Sequence, residues 1–328
     1  MQRLFLPAPL TLSLMLLASC NVSQVEAPAD GAIAEIANAD PANADPANAD
    51  TTQRERQADS TTVSSANSTD AIAQASRVVA LTSLSADLVQ TLDPERLVGV
   101  PGSSLIRNDA RFQGITPVSE ERVPPNLETI ISLKPDLVIG AVGFHDQALQ
   151  RLQELQVPTL AVEIDGWEEL ENLTQDLAKR LNADAQPLQQ RYQACLQGSE
   201  RGNSRSVLVL SGQAPILSPN KASWAGNMLA TLGVTNVAAE LQGESPFEGY
   251  ITLSPEKILQ ADPERIILID TPDGASETLK TEDFWEKLSA VKQNQVHNFD
   301  YYGLINPGSI ASIETACQKL KNLLTDQS

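Results

Sequence analysis

Asn126-Leu-Glu-Thr-Ile-Ile-Ser-Leu-Lys-Pro-Asp-Leu-Val-Ile139 runs from a helix start into a strand. The chain repeats it without a gap, 128 residues on, as Ser254-Pro-Glu-Lys-Ile-Leu-Gln-Ala-Asp-Pro-Glu-Arg-Ile-Ile267. Each copy opens on a residue whose side chain can cap the first amides of a helix, Asn126 or Ser254. A two-turn helix follows, Pro135 or Pro263 ends it, and a run of branched apolar residues begins. Pro255 suits the first helical position of the second copy, where a missing N–H costs little. A helix that feeds a buried strand, written twice, predicts an α/β chain with two similar halves.

Outward from these copies the same alternation holds. Strands are predicted at 78–81, 97–100, 137–141 and 158–163, with helices at 86–92, 127–133, 146–155 and 168–181 between and after them. Residues 184–199 read as one more helix, with Pro187 in its first turn. A second series follows: strand 206–211, helices 223–232 and 255–261, strands 265–270 and 295–299, and helix 308–324. The expected organisation is an N-terminal lobe over 76–183, a connecting helix over 184–200 and a C-terminal lobe over 201–328. A helical connection crossed once would be stiff.

The chain ahead of residue 76 has a different texture. Gln2-Arg3 is a positive start, Leu4 to Leu17 is mainly apolar, and Leu17-Ala18-Ser19-Cys20 closes the segment. That stretch is short for a bilayer span and fits the apolar region of a signal peptide over 1–20. Leu, two small residues and Cys match the pattern of a bacterial lipoprotein signal. Cys20 is therefore expected to carry a lipid after cleavage, in preference to plain secretion. Residues 21–75 repeat Asn-Ala-Asp-Pro-Ala and are otherwise rich in Thr, Ser, Gln and Asp. They lack the apolar surface needed to offset ordering and are expected to be a disordered tether.

Net charge and motifs narrow the function. A formal charge of -19 opposes binding to nucleic acid phosphates. There is no Gly-x-Ser-x-Gly elbow, no His-Glu-x-x-His motif and no Gly-rich loop after the first strand, so no enzyme is expected and no catalytic residue is assigned. With His145 and His297 as the only histidines, no resident metal site or cofactor is expected. Glu128 and Glu256 fall in the first turns of the two repeated helices. Each complements a positive helix end; their matched placement also suits two points facing a pseudo-symmetric partner.

Taken in order, several marks resemble the class III periplasmic binding proteins of ABC importers, which serve cobalamin, haem and ferric siderophores. They are Arg77-Val-Val-Ala-Leu, Leu97-Val-Gly-Val, the 126–139 segment, its copy at 254, Trp285 with Leu288, and Asp300 with Pro307-Gly308. The resemblance covers about residues 76–325. It implies two Rossmann-like lobes joined by a single long helix, a ligand cleft between them and little hinge closure. It also implies that Glu128 and Glu256 pair with arginines of a permease dimer. That makes the chain a lipid-anchored carrier on the outer face of the plasma membrane or in the periplasm, expected as a monomer, with the anchor its only membrane contact. A non-transport sensor with the same fold is the alternative.

Ligand contacts are expected on loops at the carboxyl ends of the strands. The residues singled out there are Ser103, Arg107, Arg122, Trp224, Tyr250 and Tyr301, with Tyr302 ranked below the other two tyrosines. Arginines suit the oxygens of an anionic chelate. An iron chelate, a ferric siderophore, is the first choice of ligand. Cobalamin and haem are the alternatives, cobalamin weakened because Ser103 and the 121–122 region stand where that binding class carries aromatics. Cys195 and Cys317, in the connecting and last helices, form a pair that an exported protein can oxidise, with two buried thiols the slightly preferred reading.

Overall fold

A computed structural model describes residues 74–120, 123–197, 205–212, 215–241, 243, 245, 247–271 and 274–325. The expected signal peptide with Cys20, most of the expected tether and Arg122 lie outside these residues. The N-terminal lobe holds β1 (Val78–Ala80), α1 (Ser83–Leu92), β2 (Leu97–Val100), α2 (Ser104–Arg107), β3 (Thr116–Pro117) and α3 (Leu127–Ser132). It continues through β4 (Leu137–Ala141), α4 (Asp146–Glu154), β5 (Thr159–Val162) and α5 (Trp167–Leu181), and the connecting helix α6 spans Gln186–Leu196. The C-terminal lobe holds β6 (Ser206–Leu210), β7 (Ile216–Pro219), α7 (Trp224–Thr231), β8 (Thr235–Asn236), β9 (Tyr250–Leu253) and α8 (Pro255–Ala261). After it come β10 (Arg265–Asp270), α9 (Ala275–Leu279), α10 (Ser289–Lys292), β11 (Val296–Asp300), a distorted turn α11 (Tyr301–Leu304) and α12 (Ile310–Thr325).

The two sheets repeat one order. β3-β2-β1-β4-β5 in the first lobe answers β8-β6-β10-β11 in the second, with β4 and β10 as the strands that follow the repeated helices. Every pair within these two sheets is parallel. The antiparallel pair β7–β9 is an addition to the C-terminal lobe that its apolar alternation did not announce.

The repeat holds atom by atom. Asn126 accepts the Thr129 amide at 2.9 Å and Ser254 accepts the Lys257 amide at 3.4 Å. Ile130 and Ile258 are both fully buried under their helices. Lys134 and Asp262 both take positive φ, 48° and 30°, to turn the chain out of the helix. The acid after each proline then receives the start of the neighbouring strand. Asp136 accepts the Ser76 and Arg77 amides, and Glu264 accepts the Ser206 amide at 2.7 Å.

One apolar cluster runs through both lobes, from Leu88 and Leu177 to Leu229 and Leu320, and begins as early as Ala75. The outer face of each sheet has its own smaller cluster. The lobes are therefore joined by a shared interior as well as by α6. α6 is shorter than the expected 184–200, and α12 lies along it. Arg191 of α6 and Glu314 of α12 form a two-armed ion pair at 2.6 and 2.7 Å, and Lys321 donates to the Ala194 carbonyl at 2.7 Å. Cys195 and Cys317 are joined as a disulfide with their Cα atoms 5.8 Å apart, which corrects the reading of two free thiols. Among the described residues no helix is long and apolar enough to cross a membrane.

Candidate ligand cleft between the lobes

In a parallel sheet with helical crossovers, the loops that leave the strands gather at one edge, together with the starts of the next helices. Here the loop after β2 is drawn tight. A side chain at Gly102 would place its first carbon 2.1 Å from the Ser119 carbonyl, so only glycine fits. Ser103 is buried; it accepts the Ile106 amide to cap α2 and shares a 2.7 Å hydrogen bond with Ser83, the first residue of α1. The Arg107 guanidinium is exposed but turned back onto the Gly102 carbonyl. Ser104, Leu105, Asn108, Asp109 and Ala110 then form one wall of a cleft of about 520 Å³, and Tyr302 forms the other. Gly308, at φ 54°, brings the C-terminal lobe close to both walls: a first side-chain carbon there would lie 2.7 Å from Tyr302 and 2.9 Å from Leu105.

The aromatic residues expected to face the ligand stand one layer behind. Trp224 is buried, donates its indole N–H to the Gly303 carbonyl at 2.9 Å and packs on Trp167 with ring centres 5.4 Å apart. Trp167 belongs to the other lobe, and its amide donates to Asn227 at 3.2 Å, so this pair holds the lobes together. Tyr301 is buried edge-on to Tyr302 at 5.3 Å. Tyr250 is half-buried with its hydroxyl 3.5 Å from the Ile305 carbonyl; burial first, and the Asp165 charge second, push its ionisation far above the ordinary tyrosine range. Of the three tyrosines, Tyr302 is the one that lines the cleft.

Other groups on these loops have definite jobs. Burial holds the Asp165 carboxyl above its ordinary range, and the charges of Glu163, Glu169 and Glu248 add to the effect, so both lobes contribute to one acidic side. His145 accepts the Ala141 amide on Nδ1 at 3.0 Å, and burial pulls its pKa down, which leaves a neutral ring near pH 7. Beside it, Phe144 is 58% exposed on the loop after β4. Glu128 and Glu256 are both exposed in the first turns of α3 and α8, and the Glu256 carboxyl is held below its ordinary range by its own amide and by Ser254. Among the described residues no three His, Cys, Asp or Glu side chains are grouped to hold a metal ion.

The profile of the periplasmic binding protein family matches residues 78–301. A vitamin B12-binding protein of Salmonella typhimurium is 27% identical over 206 residues, covering 60% of this chain and 74% of that protein. An Fe(3+)-citrate-binding protein of Bacillus subtilis is 28% identical over 211 residues, covering 60% of this chain and 64% of its own length. The crystal structure of an ABC transporter substrate-binding protein from Listeria monocytogenes superposes with a TM-score of 0.63 at 21% identity, covering 76% of this chain and 99% of that one. The two-lobed α/β architecture agrees with that likeness, and the family works by carrying ligands rather than by catalysis. The chain belongs to the periplasmic binding protein family.

Proposed function

We propose that this chain captures a ferric siderophore or a similar iron chelate in the inter-lobe cleft and hands it to its permease. The observation that carries this reading is the cleft itself: about 520 Å³, bounded by both lobes and lined by Ser104, Asn108 and Asp109 together with the apolar Leu105 and Ala110 and the Tyr302 ring. That volume lies in the range of small-molecule sites, and the polar part of the lining offers partners for chelate oxygens. The Fe(3+)-citrate-binding relative supports a metal complex as the cargo. Arg107 and, on the sequence alone, Arg122 are assigned in this reading to an anionic chelate as cations.

Cobalamin is the second reading. It is supported by the vitamin B12-binding relative and by the exposed ring of Phe144 on the same sheet edge, which offers an apolar face to a flat macrocycle. Delivery is assigned to Glu128 and Glu256, whose matched exposure at two helix starts suits charge-assisted pairing with permease arginines. Anchoring is assigned to a lipid on Cys20, with the carrier outside the plasma membrane.

The test is a titration of the protein, followed by tryptophan and tyrosine fluorescence and by calorimetry. The ligands are ferric citrate, a ferric catecholate, a ferric hydroxamate, cobalamin and haem. Saturable binding of one ferric chelate, absent with its iron-free form, is expected. Binding of cobalamin alone would transfer the assignment to the second reading, and no binding across the set would remove both.

A further inference from the structure

Asp87 sits on α1 with 2% of its surface exposed, a place where a carboxylate is costly unless it is paired. Its partners come from far along the chain. Oδ2 accepts the Ile310 amide at 2.7 Å, so an acid of the N-terminal lobe caps the last helix of the C-terminal lobe across 223 residues. Oδ1 lies 2.8 Å from Arg111 Nη2, in the geometry of an ion pair. The same guanidinium reaches the Asp109 carboxylate, with Nη2 to Oδ2 at 2.5 Å, and Asp109 lines the cleft. Arg111 thus joins a cleft wall to a buried inter-lobe contact.

The other wall hangs on the same helix start. Gly303 lies so close to the Ser312 carbonyl that a side-chain carbon there would approach to 2.1 Å, so the Tyr302–Gly303 turn rests on the first turn of α12. α12 is fixed further along by the disulfide to Cys195. We propose that Asp87 and Arg111 are positioning residues of the ligand site: the contact of Asp87 with the start of α12, carried by Arg111 to Asp109, sets the gap between the Ser104–Ala110 wall and Tyr302. This rests on reading the cleft as the ligand site. Neither Asp87 nor the Ile310 amide lines the cleft, so the pair acts on affinity through geometry. A gap fixed before the ligand arrives avoids an ordering cost on binding.

The Trp167–Trp224 contact, one ring from each lobe, gives a native readout of lobe placement. Asp87→Ala, Asp87→Asn and Arg111→Gln are to be compared with Asp136→Ala, which removes an acid that caps a strand within one lobe. Near-ultraviolet circular dichroism is measured on each, with calorimetric titration of ferric citrate, a ferric hydroxamate, a ferric catecholate, cobalamin and haem. Asp87→Ala and Arg111→Gln are expected to lose tryptophan ellipticity with far-ultraviolet signal intact, and to bind the wild-type ligand about tenfold or more weakly. Asp87→Asn keeps an acceptor for Ile310 and should fall between; Asp136→Ala should match wild type in both readouts. Wild-type ellipticity and affinity in Asp87→Ala and Arg111→Gln would overturn the proposal and leave the pair as a stabilising contact. If Asp87→Ala does not fold, Arg111→Gln and Asp87→Asn decide. If the wild type binds none of the five ligands, the ligand reading fails by itself and the ellipticity alone decides the pin.

Discussion

Tyr301 and Tyr302 are adjacent, yet one is core and the other faces the cleft. The signal that separates them was present in β11. Alternation along a strand puts Phe299 and Tyr301 on one side, and an inward Phe299 takes Tyr301 with it. Trp224 offered no such clue, because an aromatic at a helix start is equally suited to a ligand or to a tryptophan from another lobe. Asp87 was illegible for a related reason, since its partners lie at positions 111 and 310. Tyr302→Ala is expected to weaken ligand binding by roughly 1 kcal/mol, about fivefold, in a calorimetric titration. His145 makes a separate prediction. Its folded pKa lies below the unfolded value of 6.5, so it contributes stability above pH 6.5 that is lost as pH falls through the folded value. His145→Gln should therefore flatten the fall in melting temperature between pH 7 and pH 5.

At the level of elements, the long periodic segments were readable because their caps and breakers are local. The helix predicted at 255–261 is α8 itself, and Asn126, Ser254, Pro135 and Pro263 do the work assigned to them. β3 and β8 have two residues each, too few for a period to register. The β7–β9 pair forms between segments that are far apart in sequence, and the Cys195–Cys317 bond depends on how α6 lies against α12. Asn126→Ala should cost about 1 kcal/mol in a denaturant titration, and Ser254→Ala less, because its capping bond is longer at 3.4 Å. The disulfide closes a loop of 122 residues. Replacing both cysteines by serine should lower stability by about 2–4 kcal/mol, read in the same titration.

For the whole molecule, the sequence foretold two lobes with equivalent sheets but not their shared interior. Apolar periodicity marks what is buried; it does not say which buried faces meet, and here Leu88 and Leu229 of different lobes belong to one cluster. Trp167–Trp224 and Asp87–Ile310 join the two lobes directly, and the disulfide fixes α12 to the connecting helix α6. Delivery belongs to this scale too. Changing Glu128 and Glu256 together to alanine is expected to abolish uptake in cells while leaving ligand affinity unchanged, and weakened affinity would remove the docking assignment. The central claim, that cargo is held between the lobes, is tested most directly by hydrogen–deuterium exchange of the full chain with and without the ligand that binds it. Slowed exchange is predicted in both walls, residues 104–110 and 301–304, at saturation; slowing confined to one lobe, or found only on surfaces away from the cleft, would contradict it.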